Sequence, residues 1–127
     1  MKAVLILIMW LPSCIVAQNN FVIDSLTEAL QSETNDTIRV NTLLELGGEL
    51  YSNNPDSAIF ICEQALEIAI NSKLIELQGQ CFGWLGYLYE DKGNIKLALD
   101  HNHHALDIYE KIIINEIKKN RGFGVLG

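Results

Sequence analysis

The sequence predicts an all-α fold, an α-solenoid of antiparallel helix pairs, and three observations carry that prediction. Apolar residues recur at spacings of three and four, through segments of 14 to 20 residues, rather than alternating. Proline occurs only at Pro12 and Pro55, so long helices are unbroken. Small residues repeat: Gly47, Ala58 and Ala65 return as Gly86, Ala98 and Ala105, at offsets of 39, 40 and 40 residues. A period of that size marks a repeat architecture.

Composition bounds the rest. The 127 residues support one small domain, with 49% apolar and 20% charged residues, which fits a folded chain and argues against disorder. The formal charge is −7, and the one basic cluster is Lys118, Lys119 and Arg121. A nucleic-acid-binding domain needs a basic face, so no nucleic acid is expected as a partner.

Residues 1–17 read as a signal peptide. "MKAVLILIMWLPSCIVAQ" sets Lys2 before an apolar run from Ala3 to Leu11, then places Ala17 ahead of polar residues. The run is shorter than the about 20 residues a spanning helix requires. Cleavage after Ala17 and a periplasmic or extracellular location are expected, and the remaining chain carries a charge near −8. The competing reading is lipidation at Cys14 within "LPSC", against which Pro12 and the apolar Ile15-Val16 speak. Membrane association is expected only if the leader stays uncleaved or Cys14 is lipidated.

Five helices are expected after the leader. Residues 18–35 hold a capping helix with Val22, Leu26, Ala29 and Leu30 on one face. Residues 36–75 form the first helix pair, with Asp36 or Thr37 as N-cap and a stripe of Ile38, Leu43, Leu46 and Leu50. Asn53 to Asp56 is its turn, Pro55 or Asp56 opens the second helix, and Asn71-Ser72-Lys73 breaks it. Residues 76–114 form the second pair: a helix to Asp91, a turn at Lys92-Gly93-Asn94, and a helix from Ile95 to about Ile114. Residues 115–127 are an incomplete third repeat or a tail, with Leu126-Gly127 in register 41 residues after Leu85-Gly86. The 39-to-40 step between the pairs places a one-residue difference in the turns, which tolerate indels.

Two antiparallel helices approach closely only where side chains are small. Gly86 is therefore expected against Ala98 and Ala105, with Leu85, Leu88 and Tyr89 filling around it. A helical glycine costs about 1 kcal/mol relative to alanine, so Gly83 and Gly86 need a compensating contact.

Leu85, Gly86, Tyr89, Gly93, Ala98 and Ala105 resemble the tetratricopeptide repeat (TPR), as do Leu46, Gly47, Leu50, Ala58 and Ala65 in the first copy. The resemblance covers residues 36–112, with a unit of about 40 residues rather than the usual 34. "DTIRVNTLLEL", "NPDSA" and the leader are similar to the extracytoplasmic TPR arrays of bacterial sensor histidine kinases and related regulators. The resemblance implies a protein–protein interaction module, a scaffold or sensor piece without cofactor or catalysis. Its first helices would line a concave groove for a peptide or protein segment. The groove positions would be Asn41, Leu44, Glu45, Gly48 and Tyr51, then Gln80, Gly83, Trp84, Tyr87, Glu90 and Asp91. Trp84 and Tyr87 would stack on the ligand while Glu45, Glu90 and Asp91 favour basic groups. The alternative is a truncated fragment of a TPR-containing signalling protein with no independent activity.

The family's bulky position, four after the first alanine, is Cys62 in one copy and Asn102 in the other, and Asn102 is expected to weaken docking of any later helix. Two repeats leave an open C-terminal face that invites self-association. By repeat logic Cys62 and Cys81 are neighbours, either as two small core residues or as a disulfide, which export permits.

His101, His103 and His104 form the remaining cluster, with Asp100 and Asp107 on the same helix. His101 and His104 are the positions for a surface metal binder; solvated polar residues are the alternative. No nucleophile–base pair, phosphate loop or dinucleotide motif is present, so an enzyme is not expected.

Overall fold

A computed structural model describes residues 20–126, with side chains through residue 122. The signal-peptide reading of residues 1–17, the lipidation alternative at Cys14, and Gly127 lie outside the described residues. The described residues are all-helical: α1 (residues 20–32), α2 (Asp36–Tyr51), α3 (Pro55–Asn71), α4 (Ile75–Asp91) and α5 (Ile95–Leu126). None is long and apolar enough to cross a membrane.

Helix starts follow from short polar side chains that accept orphan N–H groups. Asn35 caps α2 by accepting from the Ile38 amide at 3.2 Å, so Asp36 and Thr37 are the first residues inside rather than the cap. The Asp36 carboxylate instead accepts from the Ser72 hydroxyl and, at 2.9 Å, from Arg39, and these two bonds, Ser72 first, hold its pKa below the usual value. Asn54 accepts from Ser57 N at 3.1 Å, with Pro55 in the first helical turn, and Asn94 accepts from Leu97 N at 3.3 Å. Those two caps lie 40 residues apart.

The turns resolve the one-residue difference. After α2, the Leu50 carbonyl accepts from Asn54 N across four residues. After α4, the Tyr89 carbonyl accepts from Asn94 N across five, and the added residue, Gly93, has φ +78°. This is the Schellman closure, whose left-handed residue is ordinarily glycine. The α3–α4 turn closes the same way, Leu74 N to Ala69 O, but puts Lys73 at φ 56°. A left-handed L-residue costs about 1–2 kcal/mol, partly offset because glycine loosens the unfolded chain by about 0.4–1 kcal/mol. Lys73→Gly is therefore expected to stabilise the protein by up to about 1 kcal/mol, read as a raised urea midpoint; a fall contradicts the assignment.

Successive helices run antiparallel. Asp36 at the start of α2 meets Ser72 after the end of α3, and Asp56 at the start of α3 pairs with Lys92 after the end of α4. Along α4 and α5, Gly79 lies against Tyr109, Gly86 against Asn102, and Tyr89 against His101. The α2–α3 and α4–α5 pairs make the most extensive contacts, α3 packs on α4, and α2 touches α4.

The core is one cluster that includes Val40, Leu43, Leu44, Ala58, Ile59, Cys62, Ala65, Ala69, Cys81, Leu85 and Leu88. Of the repeat-packing residues, Leu46, Gly47, Ala58, Ala65, Leu85, Gly86, Ala98 and Ala105 are buried and Tyr89 is half-buried. Ile38 is not part of it; it is exposed on α2.

The glycine notches receive different side chains from those expected. A Cβ at Gly47 would stand 2.9 Å from Cys62 Sγ and 3.6 Å from the Ala58 carbonyl, and one at Gly86 would collide with the Asn102 carboxamide. The occupant is thus the residue four after the first alanine, because one helical turn carries it over the notch. Asn102 docks within its own hairpin.

α5 also departs from expectation. It continues unbroken past Ile114 to Leu126, so residues 115–126 extend the second hairpin's outer helix and do not open a third repeat. No proline interrupts "KIIINEIKKN", and the polar residues after Asn115 are mostly good helix formers.

Candidate functional site

Three aromatic side chains gather where α2 and α4 lie side by side. Tyr51 and Tyr87 have ring centroids 5.6 Å apart, and Trp84 meets Tyr87 edge-on at 6.1 Å, an arrangement favoured by the ring quadrupoles. The Tyr51 and Tyr87 hydroxyls are 3.3 Å apart. Tyr87 and then Asp91 hydrogen-bond Tyr51, which raises its pKa well above the ordinary phenol value. Trp84 reaches back over α2, its indole lying 3.9 Å from where a Cβ on Gly48 would be.

Tyr51, Gly83, Trp84 and Tyr87 line an open, mostly apolar hollow of about 420 Å³. Trp84 is 37% and Tyr87 49% exposed, so both keep much of their ring surface in water. A Cβ on Gly83 would meet nothing within 4 Å, so this glycine is not required by packing inside the chain.

Asn41, Glu45, Gln80, Glu90 and Asp91 are exposed on the same two helices. α4 contains no basic residue, and Arg39, the one on α2, is tied to Asp36. The face is therefore acidic around an aromatic floor. Leu44 does not belong to it: at 6% exposure it sits in the core, because its position on α2 turns inward while Asn41, Glu45 and Gly48 turn out.

A second hollow of about 450 Å³ touches Leu30, Arg39, Leu43 and Ile68 near the α1 end. Its guanidinium is paired with Asp36.

The histidines have a packing role that the sequence did not reveal. The His101 ring stacks on Tyr89 at 5.3 Å with planes 4° apart, and His104 stacks on Phe82 at 5.0 Å and 21°. His101 also lies 5.8 Å from Phe82. His104 Nδ1 is 2.7 Å from the Asp100 carbonyl. These rings are interleaved between α4 and α5, and among the described residues no group of three or more His, Cys, Asp or Glu is placed to hold a metal ion. The spacing puts Phe82 and Tyr89 on one face of α4 and His101 and His104 on one face of α5, but only the register between the two helices brings the faces together.

Burial, and then the neighbouring His104, push the His101 pKa below its usual value. The folded state therefore binds that proton less readily than the unfolded chain. Stability from this site is complete above the unfolded pKa of about 6.5 and declines as pH falls below it, towards the lower folded value. A melting-temperature series from pH 8 to pH 5 is expected to fall, and His101→Gln to flatten the drop; an unchanged slope in the variant contradicts the assignment.

Cys62 and Cys81 are buried free thiols rather than a disulfide. Burial first raises the Cys62 pKa to about 11 and that of Cys81 to about 12, Glu63 adding to the one and Cys62 to the other. Such thiols remain protonated at neutral pH and are poor nucleophiles.

The sequence matches no protein-family model and no curated protein, and the structure matches no solved structure.

Proposed function

We propose that this chain is an exported TPR-type interaction module whose α2–α4 face holds a basic peptide or protein segment. The observation that carries the reading is exposed Trp84 and Tyr87, backed by half-buried Tyr51, over an open hollow bordered by carboxylates and free of unpaired cations. Aromatic anchors of this kind dominate interface energetics. A Lys or Arg side chain over Trp84 or Tyr87 gains a cation–π contact of about 0.5–2 kcal/mol, with Asp91, Glu45 or Glu90 as the countercharge. Binding works by presenting a rigid face, and no chemistry is involved. The 39-to-40-residue repetition of Gly47, Ala58 and Ala65 supports the TPR-type solenoid, and the leader-like residues 1–17 support export.

The test is selection of displayed random peptides on the purified protein. Enriched clones should combine Lys or Arg with an aliphatic or aromatic residue. Their binding should weaken as salt rises from about 0.1 M to about 1 M, which shortens the Debye length from about 10 Å to about 3 Å. No enrichment, or enrichment of acidic clones, refutes the reading.

Gly83→Ala adds a second arm. It should raise helix stability by about 1 kcal/mol, because the added methyl meets nothing, while narrowing the hollow and weakening the selected peptides. Stability and binding then move in opposite directions, which damage to the fold cannot mimic.

A further inference from the structure

The outer face of α5 returns, at Leu99 and Leu106, the apolar positions Ile59 and Leu66 of a face that is covered on α3. On α3, Ile59, Cys62 and Ala69 are buried and Leu66 is half-buried between α2 and α4. Forty residues on, Leu99 and Leu106 are each 54% exposed and Asn102 is exposed apart from its contact with Gly86. Ile113 and Ile117 continue the row at 57% and 48% exposure. At about 3.6 residues per turn, Leu99, Leu106, Ile113 and Ile117 fall within a sector of roughly 40°.

α5 also outruns its neighbour. Its 32 residues span about 48 Å at 1.5 Å per residue, against 17 residues in α4. Tyr109 already lies on Gly79, near the start of α4, and residues 113–122 are all exposed. An apolar helical stripe of this length, unpartnered in water, marks an interaction surface.

Charge identifies the occupant. From Lys96 to Glu110 the helix carries Asp100, Asp107 and Glu110 against one lysine; from Lys111 to Arg121 it carries four basic residues against Glu116. A helix acidic in one half and basic in the other is complementary to itself when reversed. We propose that the protein is a two-fold dimer in which two α5 helices pair antiparallel through Leu99, Leu106, Ile113 and Ile117. Centred near Tyr109, that pairing sets Leu106 against Ile113 of the second copy and Asp100 close to its Lys119. The seven-residue spacing of Leu99, Leu106 and Ile113 suits such a seam, and the two-fold operator makes the patch its own complement. The pairing leaves the Trp84–Tyr87 face of α4 to a different ligand.

Sedimentation velocity of the purified protein tests this. The wild-type chain should sediment as a dimer at micromolar concentration. Leu106→Lys combined with Ile113→Lys should sediment as a monomer with unchanged circular dichroism and Tm, since both side chains are more than half exposed. Lys119→Glu should weaken the dimer at least about tenfold in Kd, and adding Asp100→Lys should restore it. A monomeric wild type, a wild type whose stripe is occupied by a different co-purified protein, or a dimer indifferent to the stripe variant overturns the proposal. A dimer lost with the stripe variant but indifferent to charge reversal overturns the antiparallel pairing.

Discussion

Leu85→Ala is expected to lower the unfolding free energy by about 3–5 kcal/mol. Leu85 has no exposed surface and is among the largest fully buried side chains. It sits mid-way along α4, the helix that packs on both α3 and α5, so the vacated volume cannot be filled by collapse from solvent. Small domains are stable by about 5–15 kcal/mol in total, and removing a Leu side chain from such a site takes a large share of that. α4 belongs to two of the helix interfaces, with α3 and with α5. The variant should show a urea midpoint reduced by a third or more with the slope preserved; a loss under about 1 kcal/mol shows that α4 is not the keystone.

The second large effect concerns binding without stability. Trp84→Ala combined with Tyr87→Ala should weaken any peptide held on the α2–α4 face by about 30-fold or more, the consequence of losing at least about 2 kcal/mol at an aromatic hot spot. Both side chains are substantially exposed, and their contacts are with each other, Tyr51 and Gly48. Helix content and the Leu85-centred core should therefore persist, with Tm changing by a few degrees at most. Isothermal titration with selected peptides, alongside thermal melts, checks both halves. Undiminished affinity places the ligand elsewhere. A collapse of Tm instead assigns the trio to packing.

The fold was legible where side-chain size governs it. Gly47, Gly86 and the four alanines announced two close-packed hairpins, since bulk at those positions is incompatible with helix contact, and all six are buried. Gly93 announced its turn, because its left-handed backbone is nearly closed to other residues. Lys73 occupies the same conformation without announcing it. The notch occupants were misjudged: Cys62 and Asn102 lie over Gly47 and Gly86, one turn from the alanines, and spacing alone does not say how far one helix slides along its neighbour. The end of α5 was misjudged because Ile112 to Ile114, followed by Asn115, read as a terminus, whereas the helix formers from Glu116 to Lys119 carry the helix on to Leu126.

At the candidate site the outward positions were mostly legible, and Leu44 was the error. It lies three residues after Asn41, close enough on a helical wheel to be grouped with it, and that offset of about 60° separates solvent from core. The interleaved rings of Phe82, His101, Tyr89 and His104 depend on the register between α4 and α5, which composition does not carry.

Whether the α2–α4 face is a recognition surface is read from the emission of Trp84 during titration. Trp10 and Trp84 are the only tryptophans, and Trp10 falls within the leader-like residues 1–17, so the protein from residue 18 onward carries Trp84 as its one reporter, more than a third exposed and lining the hollow. A saturable blue shift is expected on adding a selected basic peptide, with the same midpoint as calorimetry and a loss of response at high salt. Calorimetric binding with no change in Trp84 emission contradicts a recognition role for this face.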